Sequence, residues 1–179
     1  MHFDHYQIRP LASEDLESYY QLVERNRERL ANFFTGTVSR TQTYEATKEF
    51  LSDMLNRAEQ RTYFPFVIVD TDKNQLAGFL DLKNIDWNLP KSEVGCYMDE
   101  AYAGKGIAKK AFGLFCDYCF KEFGFHKLFL RTHESNVAAR RAAESCGFQQ
   151  EGIIRQDYKT TSGEVVDLIY YGKLVTDKM

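Results

Sequence analysis

Two glycines and three lysines crowd into AYAGKGIAKKAF, residues 101–112, where a helix is expected to begin. The first N–H groups of a helix lack internal partners and carry partial positive charge, so such a start is a ready anion site. Gly104 and Gly106 permit close approach of the backbone and a positive φ where one is required. Lys105, Lys109 and Lys110 add three cations within six residues, a local reversal of sign in a chain of formal net charge −3. A diphosphate suits that charge and shape. The competing reading is a tight turn followed by a solvated basic face, and a G-x-G pair alone does not decide between them. Two better-known phosphate motifs do not fit. A P-loop needs Lys and Ser/Thr after its last glycine, where Ile107 and Ala108 stand. A dinucleotide-binding turn needs a third glycine, where Lys109 stands.

Cys116 and Cys119 form a C-x-x-C inside FGLFCDYCFKEF. That run is amphipathic and offers no second pair or histidine at ligand spacing. Residues three apart share one helix face, and a free cysteine packs as a small apolar side chain, so the pair reads as core. No metal is expected.

The elements that must carry the glycine turn follow from periodicity. HYQIRPL reads as a first strand closed by Pro10, and Ser13 as the N-cap of a helix with Glu14 and Asp15 in its first turn. Leu16, Tyr19, Tyr20, Val23, Arg27 and Leu30 keep a spacing near 3.6. TGTVSRTQT reads as a polar loop, and a second helix is expected from about Tyr44 to Arg61. TYFPFVIVD, LAGFLDLKNI and EVGCYMD then read as three strands, the first two a hairpin. The glycine turn opens a helix to about Phe123, HKLFLRTH is a buried strand, and SNVAARRAAESCGF is a helix ended at Gly147. EGIIRQDY and EVVDLIYYGKLV make a final hairpin. One α/β domain over residues 1–179 is expected, with a mixed, mostly antiparallel sheet of about seven strands flanked by about four helices. The one parallel step should join EVGCYMD to HKLFLRTH.

Composition narrows the function classes. With 44% hydrophobic and 15% aromatic residues the chain can build a proper core, and its acidic balance argues against nucleic-acid binding. No apolar run approaches the roughly 20 residues that span a bilayer. The N-terminal MHFDHYQIRP lacks an apolar signal core, so a cytoplasmic location with reduced thiols is expected.

EVGCYMDEAYAGKGIAKKAF, followed some thirty residues later by SNVAARRAAESCGFQQEGIIRQ, resembles the GNAT family of acetyl-CoA-dependent N-acetyltransferases. RPLASEDL and NRERLANFF are similar to the opening and substrate-side helix of its RimJ/RimL-type branch, which acetylates protein N-termini and whose members are usually homodimers. The resemblance implies that Cys96, Tyr97, Met98 and Asp99 hold the pantetheine arm, that the turn Ala103-Gly104-Lys105-Gly106-Ile107-Ala108 binds the pyrophosphate with Lys109 beside it, and that Asn136 contacts the arm. Ala103 replaces the family's usual Gln or Arg, but the main-chain cradle does not depend on that side chain. Asn136 reads equally as a helix N-cap. The implied partners are acetyl-CoA and an amine, a ribosomal or other protein N-terminus first, with a polyamine or aminoglycoside, or a coenzyme A-binding module without turnover, as alternatives.

Attack of an amine on a thioester needs a deprotonated amine, a donor for the oxyanion and a proton for the departing sulfur. The oxyanion donor is expected to be an amide near Tyr97 or Met98. The family's usual acid and base positions carry Ala143, Ala139 and Arg131 here, so no catalytic role transfers directly. By position the substitutes are Glu93 at the start of the central strand, Tyr158 near the end of EGIIRQDY, and His133 with Glu134 at a strand end. Each has an ordinary reading as well: a solvated carboxylate, a half-buried strand tyrosine, an exposed loop histidine. An α-amine titrates near 7.7–8.0 and so tolerates weak acid–base machinery better than a lysine near 10.4.

Overall fold

Short, β-branched and aromatic runs in the middle of the chain set the architecture. A computed structural model describes residues 1–177. Its strands are β1 (His2–Phe3), β2 (Tyr6–Pro10), β3 (Phe64–Asp70), β4 (Gln75–Asp86), β5 (Lys91–Met98), β6 (Lys127–Thr132), β7 (Gln149–Lys159) and β8 (Val165–Leu174). Its helices are α1 (Leu16–Ala31), α2 (Thr35–Arg40), α3 (Tyr44–Glu59), α4 (Ile107–Phe123) and α5 (Val137–Ser145). The strands form one sheet in the order β1-β2-β3-β4-β5-β6-β8-β7. Every neighbouring pair is antiparallel except β5 and β6, the expected parallel step.

Alternation along the central strands divides the core in two. Phe66, Leu80, Leu82 and Val94 face α4, where Phe112, Phe115, Cys116 and Cys119 meet them. Val67, Phe79 and Tyr97 face the other way, toward Tyr19, Leu22 and Val23 of α1 and Leu51 and Met54 of α3. Cys116 and Cys119 are free thiols buried in the first layer, as their spacing on one helix face requires. Among the described residues no helix is long and apolar enough to cross a membrane.

Among the described residues the sheet has eight strands where about seven are expected, because His2–Phe3 folds back on Tyr6–Gln7, and there are five α-helices where about four are expected. The extra helix is α2, inside the stretch read as a polar loop. Its residues have poor helix propensity, Gly36 above all. Tertiary contacts form it instead: Val38 is buried in the second core, and the Arg27 side chain donates to the carbonyls of Val38 and Thr41. Ser13 is not an N-cap but lies within a short 3-10 turn. Asp15 holds that turn, accepting from the Ala12 amide at 2.8 Å and from Arg9 at 2.7 Å.

Candidate active site

The site begins where two strands part. The β5–β6 ladder ends at the pair Glu93–Phe129, whereas β5 stays paired with β4 as far as Met98. From Val94 onward one edge of β5 therefore has no strand beside it. The Asp99 amide donates to the Ala77 carbonyl at 2.8 Å, so by the alternation of an antiparallel ladder Tyr97 and Gly95 also direct their backbone groups to β4. Cys96 and Met98 direct theirs into the notch. The amides that open into the notch are thus those of Cys96 and Met98, and the Tyr97 amide belongs to the ladder. Arg29 of α1 reaches the Met98 carbonyl and closes one end of the notch.

The glycine turn lies at that same end. Gly104 and Gly106 have φ of 75° and 74°, a left-handed conformation that side chains resist, and an added Cβ at either would meet open space. The glycines are required by conformation rather than by crowding. Among the described residues no acceptor in the chain takes the amides of Gly104 to Lys109; the first helical bond runs from Lys110 to Gly106. Six consecutive unpaired N–H groups at the start of a 17-residue helix form an anion cradle.

Notch and cradle open into one cavity of about 530 Å³, roofed by Leu30, Phe33 and Phe34 at the end of α1. It brings together Glu93, Cys96, Tyr97, Met98, Gly104, Gly106, Ala108, His133, Asn136 and Tyr158. Five of the expected residues are not on its wall. Asp99 is buried and paired with Arg25 at 2.8 Å, and Ile107 packs in the core. Lys105 donates to the Ala101 carbonyl at 2.9 Å, and Lys109 is exposed. Glu134 is exposed too, and only its carbonyl is engaged, by Arg140. Lys110, the third lysine of the turn, pairs with Asp4 at 2.9 Å.

The acid–base candidates have specific partners. Glu93 is not a solvated strand-end carboxylate: it is 5% exposed, and its Oε2 accepts from Asn84 at 2.6 Å and from Arg131 at 2.9 Å. Oε1 has no donor among the described residues. Arg131 also donates to Asp157 at 2.7 Å, and its Nε is buried without a partner. Burial works against the Arg131 charge, but the bonds to Glu93 and Asp157 outweigh it and hold its pKa above the ordinary value. The Tyr158 hydroxyl accepts from the Thr35 amide at 3.1 Å and donates to Thr35 Oγ1 at 2.9 Å, latching β7 onto α2. His133 Nδ1 lies 2.7 Å from Ser135 Oγ and accepts from the Ser135 amide at 3.2 Å, so that ring nitrogen is engaged by its own loop. Asn136 caps α5 through the Ala139 amide at 3.2 Å. Burial, with Asp81 and Cys146 nearby, pushes the Cys96 thiol up to about 12, which makes it a wall and not a nucleophile.

Sequence reasoning passed over Lys83 and Asp157, and saw Arg131 only as a departure from a pattern. Arg131 lies 38 residues from Glu93 and 26 from Asp157, so no local signal joins them.

Residues 6–149 match the family model described as an acetyltransferase (GNAT) domain, and the chain belongs to that family. It is an acetyl-CoA-dependent N-acetyltransferase. It is 29% identical over 174 residues, 96% of this chain and 92% of the relative, to a Bacillus subtilis protein named "Putative ribosomal N-acetyltransferase YdaF". It is 28% identical over 156 residues to the spermidine N(1)-acetyltransferase of Vibrio cholerae, spanning 84% of this chain and 83% of that one. The crystal structure of the ribosomal-protein-S5-alanine acetyltransferase from Vibrio fischeri superposes with a TM-score of 0.90 at 26% identity, over 100% of this chain and 98% of that one.

Proposed function

We propose that the acceptor is the α-amine of a protein or peptide N-terminus. The observation that carries this reading is the charge on the cavity wall. Its acids are Glu93 and Asp157, both paired with Arg131, while Arg29 adds further positive charge and Lys83 is paired with Asp81. Both carboxylates already face the Arg131 guanidinium, so a polycation such as spermidine would find little uncompensated negative charge there. A terminal α-amine carries one charge, loses it near pH 8, and so enters such a cavity as the neutral nucleophile. The aromatic roof of Phe33 and Phe34 suits an extended peptide better than a strongly hydrated polyamine.

In this reading the amides of Gly104 to Lys109 hold the diphosphate of acetyl-CoA, and the pantetheine arm lies along the free edge of β5. The Met98 or Cys96 amide receives the oxyanion. Glu93 is the base: Asn84 and Arg131 clamp one carboxylate oxygen and leave the other free to take the proton of the amine. A thiol-release screen tests the assignment with N-terminal peptides, spermidine, aminoglycosides and free amino acids. The expected result is a kcat/KM for some peptide at least about 100-fold above that for spermidine, about 3 kcal/mol of discrimination. Faster release with spermidine would establish a polyamine acceptor, the reading that the spermidine enzyme's similarity favours.

A further inference from the structure

The reaction also needs a proton for the sulfur, and Ala143, at one of the positions where the family resemblance implies an acid or base, is buried in the core and has no proton to give. The donor has to come from elsewhere on the wall. Lys83 of β4 is on that wall, next to Gly95 of β5. Gly95 leaves a gap in the strand: an added Cβ would collide with Asp81 Oδ1 and lie 3.0 Å from Lys83 Nζ. The missing side chain is what lets a charged pair on β4 lie across β5 at Gly95. Asp81 is held from behind by the Tyr63 hydroxyl, which donates to its Oδ2 at 2.8 Å. Among the described residues its Oδ1 is buried with no hydrogen bond, and it lies 3.5 Å from Lys83 Nζ, an ion-pair distance that orients the ammonium.

We infer that Lys83, oriented by Asp81 through the opening at Gly95, is the catalytic acid that protonates the departing coenzyme A sulfur. The acceptor nitrogen attacks the thioester carbon and forms the C–N bond, and the proton it sheds goes to Glu93 Oε1. The C–S bond then breaks, its electron pair leaves on sulfur, and the sulfur takes a proton from Lys83 Nζ. Transfer from the Glu93 acid to the neutral Lys83 amine, across the cavity both residues line, restores the starting state. One proton has moved from nitrogen to sulfur and no other reagent is consumed. The charged groups around Lys83 agree with an ammonium at rest: burial lowers its pKa, but Asp81 and Glu93 outweigh both that and the repulsion from Arg131, so it stays above the ordinary value.

The return of the proton rests on Glu93 being the base, whereas donation to sulfur does not, so the two are tested apart. Glu93→Gln tests the base. For the acid, Lys83→Met should lower kcat about 100-fold, while calorimetry finds coenzyme A binding changed by less than about threefold. Lys83→Arg keeps the charge but holds its protons too tightly to give one up, so it should stay close to Lys83→Met. The alternative role for Lys83 is neutralisation of a buried Asp81. The double variant Asp81→Asn/Lys83→Met removes both charges and separates the roles, and it serves as the folded comparison if the single variant does not fold. A double variant as slow as predicted for Lys83→Met supports proton donation. Recovery to within about threefold of the natural chain, or restored turnover in Lys83→Arg, overturns it.

Discussion

Arg131 holds Glu93 by one oxygen only: its guanidinium lies 2.9 Å from Oε2, which also accepts from Asn84, and Oε1 is left to the cavity. The clamp fixes a carboxylate that is 5% exposed without blocking it. Glu93→Gln should therefore lower kcat about 100-fold with little change in KM for acetyl-CoA, as steady-state thiol release would show. Arg131→Met should cost stability as well, about 3 kcal/mol in urea unfolding, because it strands a buried carboxylate.

Gly104 and Gly106 should be intolerant for a reason unrelated to space. Each adopts a positive φ, and a methyl group there would meet nothing. Alanine at either position should cost about 1–2 kcal/mol locally. Because that cost distorts the cradle, it should appear chiefly as weaker coenzyme A binding in calorimetry.

The three lysines of the turn should separate. Lys110 is committed to Asp4 at 2.9 Å, while Lys109 is exposed without an ion pair among the described residues. Charge reversal at Lys105 and Lys109 should weaken coenzyme A roughly tenfold more than dephospho-coenzyme A if they meet its 3′-phosphate. The same reversal at Lys110 should discriminate less between the two.

Stability should depend on pH through Asp70. Burial pushes its pKa up, but the Tyr102 hydroxyl at 2.9 Å and the Lys73 amide, with His5 and Lys73 nearby, outweigh that and leave it below the ordinary value. A carboxylate with a depressed folded pKa stabilises the protein above its unfolded pKa, near 4, and loses that contribution as pH falls through the folded value. Tyr102→Phe should thus cost about 1–2 kcal/mol at pH 7, and the gap from the natural chain should narrow in unfolding experiments as the pH falls below the unfolded value near 4.

Local signals were enough for much of this molecule. The alternation of β3, β4 and β5, the glycine turn opening α4, and the parallel step to β6 were all legible, because each rests on periodicity or on the conformational demands of glycine. α2 was not, since Thr35–Arg40 is helical only through Val38 burial and the reach of Arg27. The acid–base groups were legible as residue types but not as a site. Glu93 reads as a wet strand end until Asn84 and Arg131 are brought to it. Tyr158 reads as a half-buried strand tyrosine, and no local signal joins its hydroxyl to Thr35, 123 residues away. Lys83 gave no signal, because its meaning depends on the absent side chain of Gly95 on the neighbouring strand.

Hydrogen–deuterium exchange across residues 104–109, with and without acetyl-CoA, tests the cradle most directly. Among the described residues these amides have no acceptor, so they should exchange rapidly in the free protein and slow at least about tenfold when the diphosphate binds. Saturation with acetyl-CoA that leaves their exchange unchanged, or slow exchange already in the free protein, would contradict the account.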